Sequence, residues 1–315
     1  MTPNACQPAK KTRSRKAPVN LSMAVEFALE YGAGSEDILA TTLAALEHGL
    51  QARHIASFPL ASCHATDDVA VVLGASAWAT FDVLGVEDHG RIVGILDRAG
   101  GIRQGPVQGA MKLLNGNMLV AAEAPLEGVL NALTGRRFLL VVRGNGIEGI
   151  ITLSDLLKLP VRLLLFAHVT HLEMEMLSAI RRTFSDDGWI AHLTQSRQKK
   201  LRNKEHQLAA LHQQPSGLAE LTEFCDKREV VAKAFNLGDG FESDLREIEA
   251  YLRNPLAHAA TFFSDKMSLT RVVELVGRAT YWTAIVRWRG RKAGHASSRT
   301  SHVPIVERKH AQEAD

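Results

Sequence analysis

Residues 81–97 of this chain line up with residues 136–152 at a constant offset of 55. Gly94 falls on Gly149, Ile95 on Ile150, Leu96 on Ile151, Ile92 on Ile147 and Val86 on Val141. Each copy reads as an apolar strand, a turn and a second apolar strand. The turns, Asp88-His89-Gly90 and Gly144-Asn145-Gly146, carry the residues that hairpins need. A helical stretch precedes each copy, at 67–77 and 125–133. After the second copy Leu153 to Leu157 reads as a helix start, with Ser154 or Asp155 near its cap. A repeat of this period and content demands two tandem modules of one fold.

The second copy ends in Gly149, Ile150, Ile151 and Thr152, with Asp155 three residues further on. This spelling resembles the hairpin end of CBS (cystathionine-β-synthase) domains, and residues 51–158 resemble a tandem CBS pair. The resemblance implies an α+β fold and a regulatory adenosine nucleotide: ATP, ADP or AMP. It assigns the ligand to Gly149, Thr152 and Asp155, with the Thr152 hydroxyl and the Asp155 carboxylate on the ribose hydroxyls. A carboxylate can accept from two vicinal hydroxyls, and a helix N-terminus beside it suits phosphate. The first copy departs from the pattern, with Asp97 in place of the threonine and Gly100 in place of the acid. At most one good nucleotide site per chain is therefore expected. Thr152 and Asp155 would equally serve as a plain helix cap, and both readings stand at this point.

The other half reads as helix throughout, in segments 160–184, 191–214, 217–235, 244–262 and 268–288. About five helices without strand signal describe a small bundle. Its fourth segment carries Arg253, Asn254 and, five residues after the arginine, His258. An arginine fork suits phosphate oxygens, a histidine exchanges protons near neutral pH, and an asparagine can position either. Pro255 between them favours a kink or a new helix start. The spelling resembles the R-x4-H motif of HEPN (higher eukaryotes and prokaryotes nucleotide-binding) domains, helical bundles that include metal-independent ribonucleases. Residues 160–288 would form that domain.

The HEPN resemblance implies that His258 acts as general base or acid at the ribose 2′-OH and the leaving 5′-oxygen. Arg253 would stabilise the charge of the transition state, and Asn254 would orient the phosphate or His258. Two copies would meet as a homodimer across one composite groove, with no metal. The plain alternative is an arginine and a histidine on a helix surface. A similar string, Arg202-Asn203-Lys204-Glu205-His206, lacks flanking apolar positions and reads as a solvated face. His168, His171 and His192 are scattered, with no cysteine partner, and read as helix histidines rather than metal ligands.

Charge separates the body from the ends. Residues 1–16 carry +5 and residues 287–315 carry +4, while the whole chain carries +3. Residues 17–286 are therefore acidic, at about −6. The ends 1–16 and 289–315 lack apolar periodicity and read as disordered basic tails, either adding sequence-independent attraction to nucleic acid or serving as solubilising ends with no partner. Residues 17–50 read as a helical preface of two segments, 21–30 and 37–47, broken at Gly32-Ala33-Gly34. No uninterrupted apolar run approaches the roughly 20 residues of a membrane helix, and no secretory leader is evident. Cys6, Cys63 and Cys225 are sparse and far apart, which fits a reducing cytoplasm. The expectation is thus a CBS pair joined to an all-α, HEPN-like bundle. It is either a nucleotide-regulated endoribonuclease or a non-catalytic sensor whose bundle binds itself, RNA or a protein.

Overall fold

A computed structural model of the chain describes residues 38–211, 217–258 and 268–300. The expected tail 1–16, the first preface helix 21–30 and residues 301–315 lie outside them. The chain packs as two units. One contains Glu36–His168 and Tyr251–Glu274; the other contains Val169–Ala250 and the chain from Leu275 on.

In the first unit, α1 (Ile38–Gly49) leads into two small sheets. The first sheet has the order β1 (Ser62–His64), β2 (Val83–Asp88), β3 (Arg91–Asp97), β4 (Lys112–Leu113). The second has β5 (Leu119–Ala121), β6 (Phe138–Arg143), β7 (Gly146–Thr152). Each copy pairs its first strand parallel to its second, across a helix: α2 (Val69–Gly74) in one copy and α4 (Leu126–Leu133) in the other. A short helix, α3 (Val107–Ala110), lies between the copies. Each then pairs its second strand antiparallel to its third through a two-residue turn. His89 and Gly90 both take positive φ (47° and 75°), as a type I′ turn requires; in the second copy Gly144 does so, at 58°. The repeat extends to its irregularities. The register slips between Val86 and Glu87 in one copy and between Val141 and Val142 in the other, the same place 55 residues on.

The two copies exchange edges. Lys112, which leads into the second copy, pairs with Ile95 of the first. Ser57, which leads into the first, pairs with Ile150 of the second. Leu60, Val83, Ile95 and Leu140 form one buried cluster that draws on both sheets, and Phe138, Ile147 and Ile150 pack against it. Burying such side chains stabilises by roughly 1.5–3 kcal/mol each, so this cluster ties the two copies together, while Val69, Val72, Leu84 and Val86 form a core within the first copy.

The exchanged edges explain the repeated glycine. A Cβ on Gly94 would sit 2.8 Å from the Lys112 carbonyl oxygen. One on Gly149 would sit 2.6 Å from the Phe58 ring and 3.0 Å from the Ser57 carbonyl oxygen. The crossing strand leaves no room for a methyl group. Gly149→Ala is therefore expected to cost about 1–3 kcal/mol by overpacking, read as a lower urea midpoint. An unchanged midpoint would mean that the crossing strand yields freely.

The second unit is helical among its described residues, without strand, as its sequence indicated. Its elements are α5 (Leu159–Thr183), which contributes to both units, α6 (Gln195–Ala210), α7 (Phe224–Phe235) and α8 (Gly238–Ile248). They continue in α9 (Asn254–Ala257) and α10 (Leu269–Thr300); α9 and the start of α10, to Glu274, lie in the first unit. Trp189, Phe224, Val230, Phe241, Leu245 and Leu275 are buried. α7 ends at Asn236, which takes the left-handed conformation at φ 49° and leaves the helix as a C-terminal cap. Residues 236–240 read as a loop from composition, yet α8 already begins at Gly238. Its buried face of Phe241, Leu245 and Ile248 recruits the preceding turn, since tertiary packing overrides weak glycine propensity.

Two further expectations change. The last helix continues past Trp288 to Thr300, so residues 289–300 of the expected tail are helix. In this added stretch Arg289 and Lys292 lie over the Trp288 ring, at 5.1 and 4.1 Å from its centroid, a cation–π arrangement. The sequence has no long unbroken apolar run, but α5 as a whole is long and apolar enough to cross a membrane by length and composition. Arg162, His168, His171, Glu173 and Glu175 interrupt it, and half of its most apolar window is buried within the protein.

Candidate functional site

The second copy places Thr152 at the end of β7, where the chain turns into a short 3₁₀ segment, Leu153–Leu157. Asp155 points back under that turn and is 5% exposed. One of its oxygens, Oδ2, accepts from the Thr152 N–H at 2.6 Å and the Thr152 hydroxyl at 2.9 Å. The other, Oδ1, accepts from the Ser57 hydroxyl at 3.1 Å and lies 2.7 Å from the Lys158 ammonium. Burial alone would raise the pKa of Asp155. The Lys158 ammonium and the two Thr152 donors outweigh it and hold the carboxyl below the usual carboxylate range. The rim of this anionic floor is open: Ser57, Phe58, Ser154 and Lys158 are exposed. Gly149 lies against the Phe58 ring and lets that ring pass. The three residues expected to bind a ligand thus gather in one small depression. Thr152 and Asp155 cap the turn there as well, so the plain reading of these two residues also holds geometrically.

The first copy fills the equivalent place with an ion pair. Asp97, at the position of Thr152, accepts from Lys112 at 3.0 Å and from Arg137 at 3.2 Å. Burial would raise its pKa, but Lys112, the Ala99 N–H and Arg137 together lower it. Lys112 stands where the second copy has Ser57, so the edge exchange supplies one group to each place. A carboxylate held by two cations, with no acid at Gly100, lacks the threonine and acid pair that the second copy presents.

Residues 117–162 match the family model of the CBS domain. This part of the chain is a CBS domain. The first copy shares its strand order, parallel and then antiparallel. No curated protein is detectably similar to the chain. Solved structures resemble it in part. The CBS domain of a CBS-domain-containing membrane protein from Sphaerobacter thermophilus is 19% identical, covering 38% of this chain and 93% of its own, with a TM-score of 0.32. An uncharacterized conserved protein from Pyrococcus horikoshii is 22% identical, covering 35% and 91%, at 0.31. A CBS domain pair solved with 5-methylthioadenosine and S-adenosyl-L-methionine is 16% identical, covering 34% and 91%, at 0.30.

Sequence reasoning missed Ser57 and Lys158. Ser57 is 98 residues from the Asp155 it meets, and no local spacing could flag it. The repeat could have: residue 57 answers to Lys112, the partner of Asp97. Lys158 stands three residues after Asp155, the helical spacing at which acid and base meet.

Arg253, Asn254 and His258 lie outside the CBS domain. α8 runs into a π-helical turn, Glu249–Arg253, before α9 begins with Pro255 in its first turn. Of the two expectations at Pro255, a new helix start is the one seen, and it follows a π turn, a device frequent at functional sites. Arg253 is half-buried, and its guanidinium donates to the Asn254 side-chain oxygen at 3.4 Å. His258 is exposed at the end of α9, with its backbone N–H on the Asn254 carbonyl at 3.1 Å. Arg162 donates to the Pro255 and Leu256 carbonyls at 3.4 Å and holds the turn. The chain after His258, 259–267, lies outside the described residues.

The other candidates are accounted for structurally. His168 is buried 3.6 Å from Glu47, His171 meets Arg287 at 2.7 Å, and His192 packs edge-on against Phe184. Arg202, Asn203 and His206 are exposed on α6. Among the described residues, Glu223, Cys225 and Asp226 bring possible metal-ligand atoms within 4.8 Å of one another. The two carboxylates are taken by Arg197 and Lys200.

Proposed function

We propose that this chain is a regulatory protein that senses an adenosine nucleotide through its second CBS module, paired with a first module that is structural. The observation that carries this reading is the buried Asp155 carboxylate beneath an exposed rim, inside a segment that matches the CBS family. Asp155 and the Thr152 hydroxyl face the ribose diol. Phe58, exposed beside Gly149, offers an aromatic face to the base. ATP, ADP and AMP are the ligands to test. Calorimetry on wild type should detect at least one of them. Asp155→Ala should weaken it about 100-fold, because two hydrogen bonds to a charged acceptor are lost at about 1.5 kcal/mol each. Asp155→Asn, which can still cap the turn, should lose nearly as much. Unchanged affinity in both variants would reduce Asp155 to a cap, and no binding by wild type would end the nucleotide reading.

A second reading adds catalysis: a homodimeric, HEPN-like endoribonuclease regulated by that nucleotide. The π turn that ends at Arg253 favours it, as such turns are frequent at functional sites, and His258 on the following turn is open to solvent. His258 would exchange protons at the 2′-oxygen and the leaving 5′-oxygen. Arg253 would neutralise the charge that accumulates on the phosphate, and the chemistry would need no metal.

A further inference from the structure

Asp155 has no acceptor position to spare. An ionised carboxylate offers about four lone-pair sites, and the Thr152 N–H, the Thr152 hydroxyl, Ser57 and Lys158 occupy them. A ribose diol can engage this carboxylate only by displacing donors already there. The Thr152 N–H is fixed by the backbone. The Ser57 and Thr152 hydroxyls are neutral and can turn to water or to each other's neighbours; Thr152 Oγ1 already lies 2.8 Å from Ser154 Oγ. Lys158 differs from both. It carries a full charge on a flexible four-carbon stem, its side chain is 41% exposed, and it pairs with Asp155 at 2.7 Å. Its remaining contacts are the Ile55 carbonyl and, at 3.5 Å, the Ser57 hydroxyl. A diol that takes over Oδ1 sets this ammonium free at the rim, beside the ligand.

We propose that Lys158 selects phosphorylated adenosine over the bare nucleoside: it guards the Asp155 carboxylate in the empty site and turns to the ligand's phosphate when the ribose displaces it. The proposal rests on the nucleotide reading given above. A nucleoside that takes the carboxylate strands the ammonium without its counter-charge. A nucleotide supplies a new one. Selectivity therefore arises from an exchange of anions at one lysine.

The test is calorimetry with AMP and with adenosine on the full-length wild type, Lys158→Met and Lys158→Arg. Wild type should prefer AMP. In Lys158→Met the AMP affinity should fall tenfold or more, about 1.4 kcal/mol. Adenosine should bind as well as before or better, because the carboxylate is no longer guarded. Lys158→Arg should restore the AMP preference, and equal thermal midpoints of the three proteins would exclude a folding effect. An unchanged AMP-to-adenosine ratio in Lys158→Met overturns the proposal while leaving nucleotide binding intact. Parallel loss of both ligands overturns it too, since Lys158 would then only hold the site together. Binding of neither ligand by wild type defeats the nucleotide reading itself, and this inference with it.

Discussion

Replacing His258 by alanine is expected to lower RNA cleavage by about 10²–10⁴-fold, the contribution of a positioned proton-transfer group. The fold should be untouched, because His258 is exposed at the end of α9 and is tied to that turn through its backbone N–H, on the Asn254 carbonyl. Arg253→Lys should also cost activity, since an ammonium lacks the fork that spans two phosphate oxygens. The measurement is incubation of wild type and variants with single-stranded and structured RNA, with and without ATP or AMP and in the presence of EDTA. Cleavage by wild type that leaves 2′,3′-cyclic ends, and its loss in His258→Ala, is the result the ribonuclease reading requires. Equal cleavage by both proteins would identify a contaminant and leave only the sensor.

Asp226→Ala should be the most destabilising single change in the helical unit. Asp226 is 1% exposed and receives the Arg197 guanidinium on both oxygens, at 2.7 and 2.5 Å. It also accepts the Glu223 N–H at 2.9 Å and so caps α7. Removing one partner of a buried pair costs about 3–5 kcal/mol, because the other charge stays behind in a poor solvent. Here the loss should fall near about 3 kcal/mol, since Arg197 keeps Glu223 at 3.1 Å. Urea denaturation followed by tryptophan fluorescence reads it, because Trp189, Trp282 and Trp288 belong to this unit. Combining Asp226→Leu with Arg197→Met should recover most of the loss, as the stranded charge is gone. A shift under about 1 kcal/mol for Asp226→Ala would mean that the pair is no better than a surface contact.

The distance over which each feature is encoded decides how much of this was legible beforehand. The strands, the hairpin turns and the Gly149-to-Asp155 motif are local, and the 55-residue offset doubles each signal. They were readable down to Gly90 and Gly144 in their turns. The helices of the second unit were readable from apolar period, although their ends moved wherever packing overruled composition, as at Gly238 and beyond Trp288. The π turn at Glu249–Arg253 was not readable. One extra residue in a helix leaves composition unchanged and shows only in where Arg253 and His258 finally lie.

The amino-acid sequence by itself determined that two like modules stand in tandem, that the first lacks a usable threonine and acid, and that the described residues after them are helical. It could do so because strand, turn and cap preferences act within a few residues. Only the tertiary structure decided that the copies exchange edges. That exchange brings Ser57 across 98 residues to Asp155, sets Lys112 on Asp97, and leaves Gly94 and Gly149 no room for a side chain. The reason is physical. An edge strand pairs through backbone groups that every residue carries, so its partner is chosen by burial of the shared Leu60, Val83, Ile95 and Leu140 core rather than by any local code.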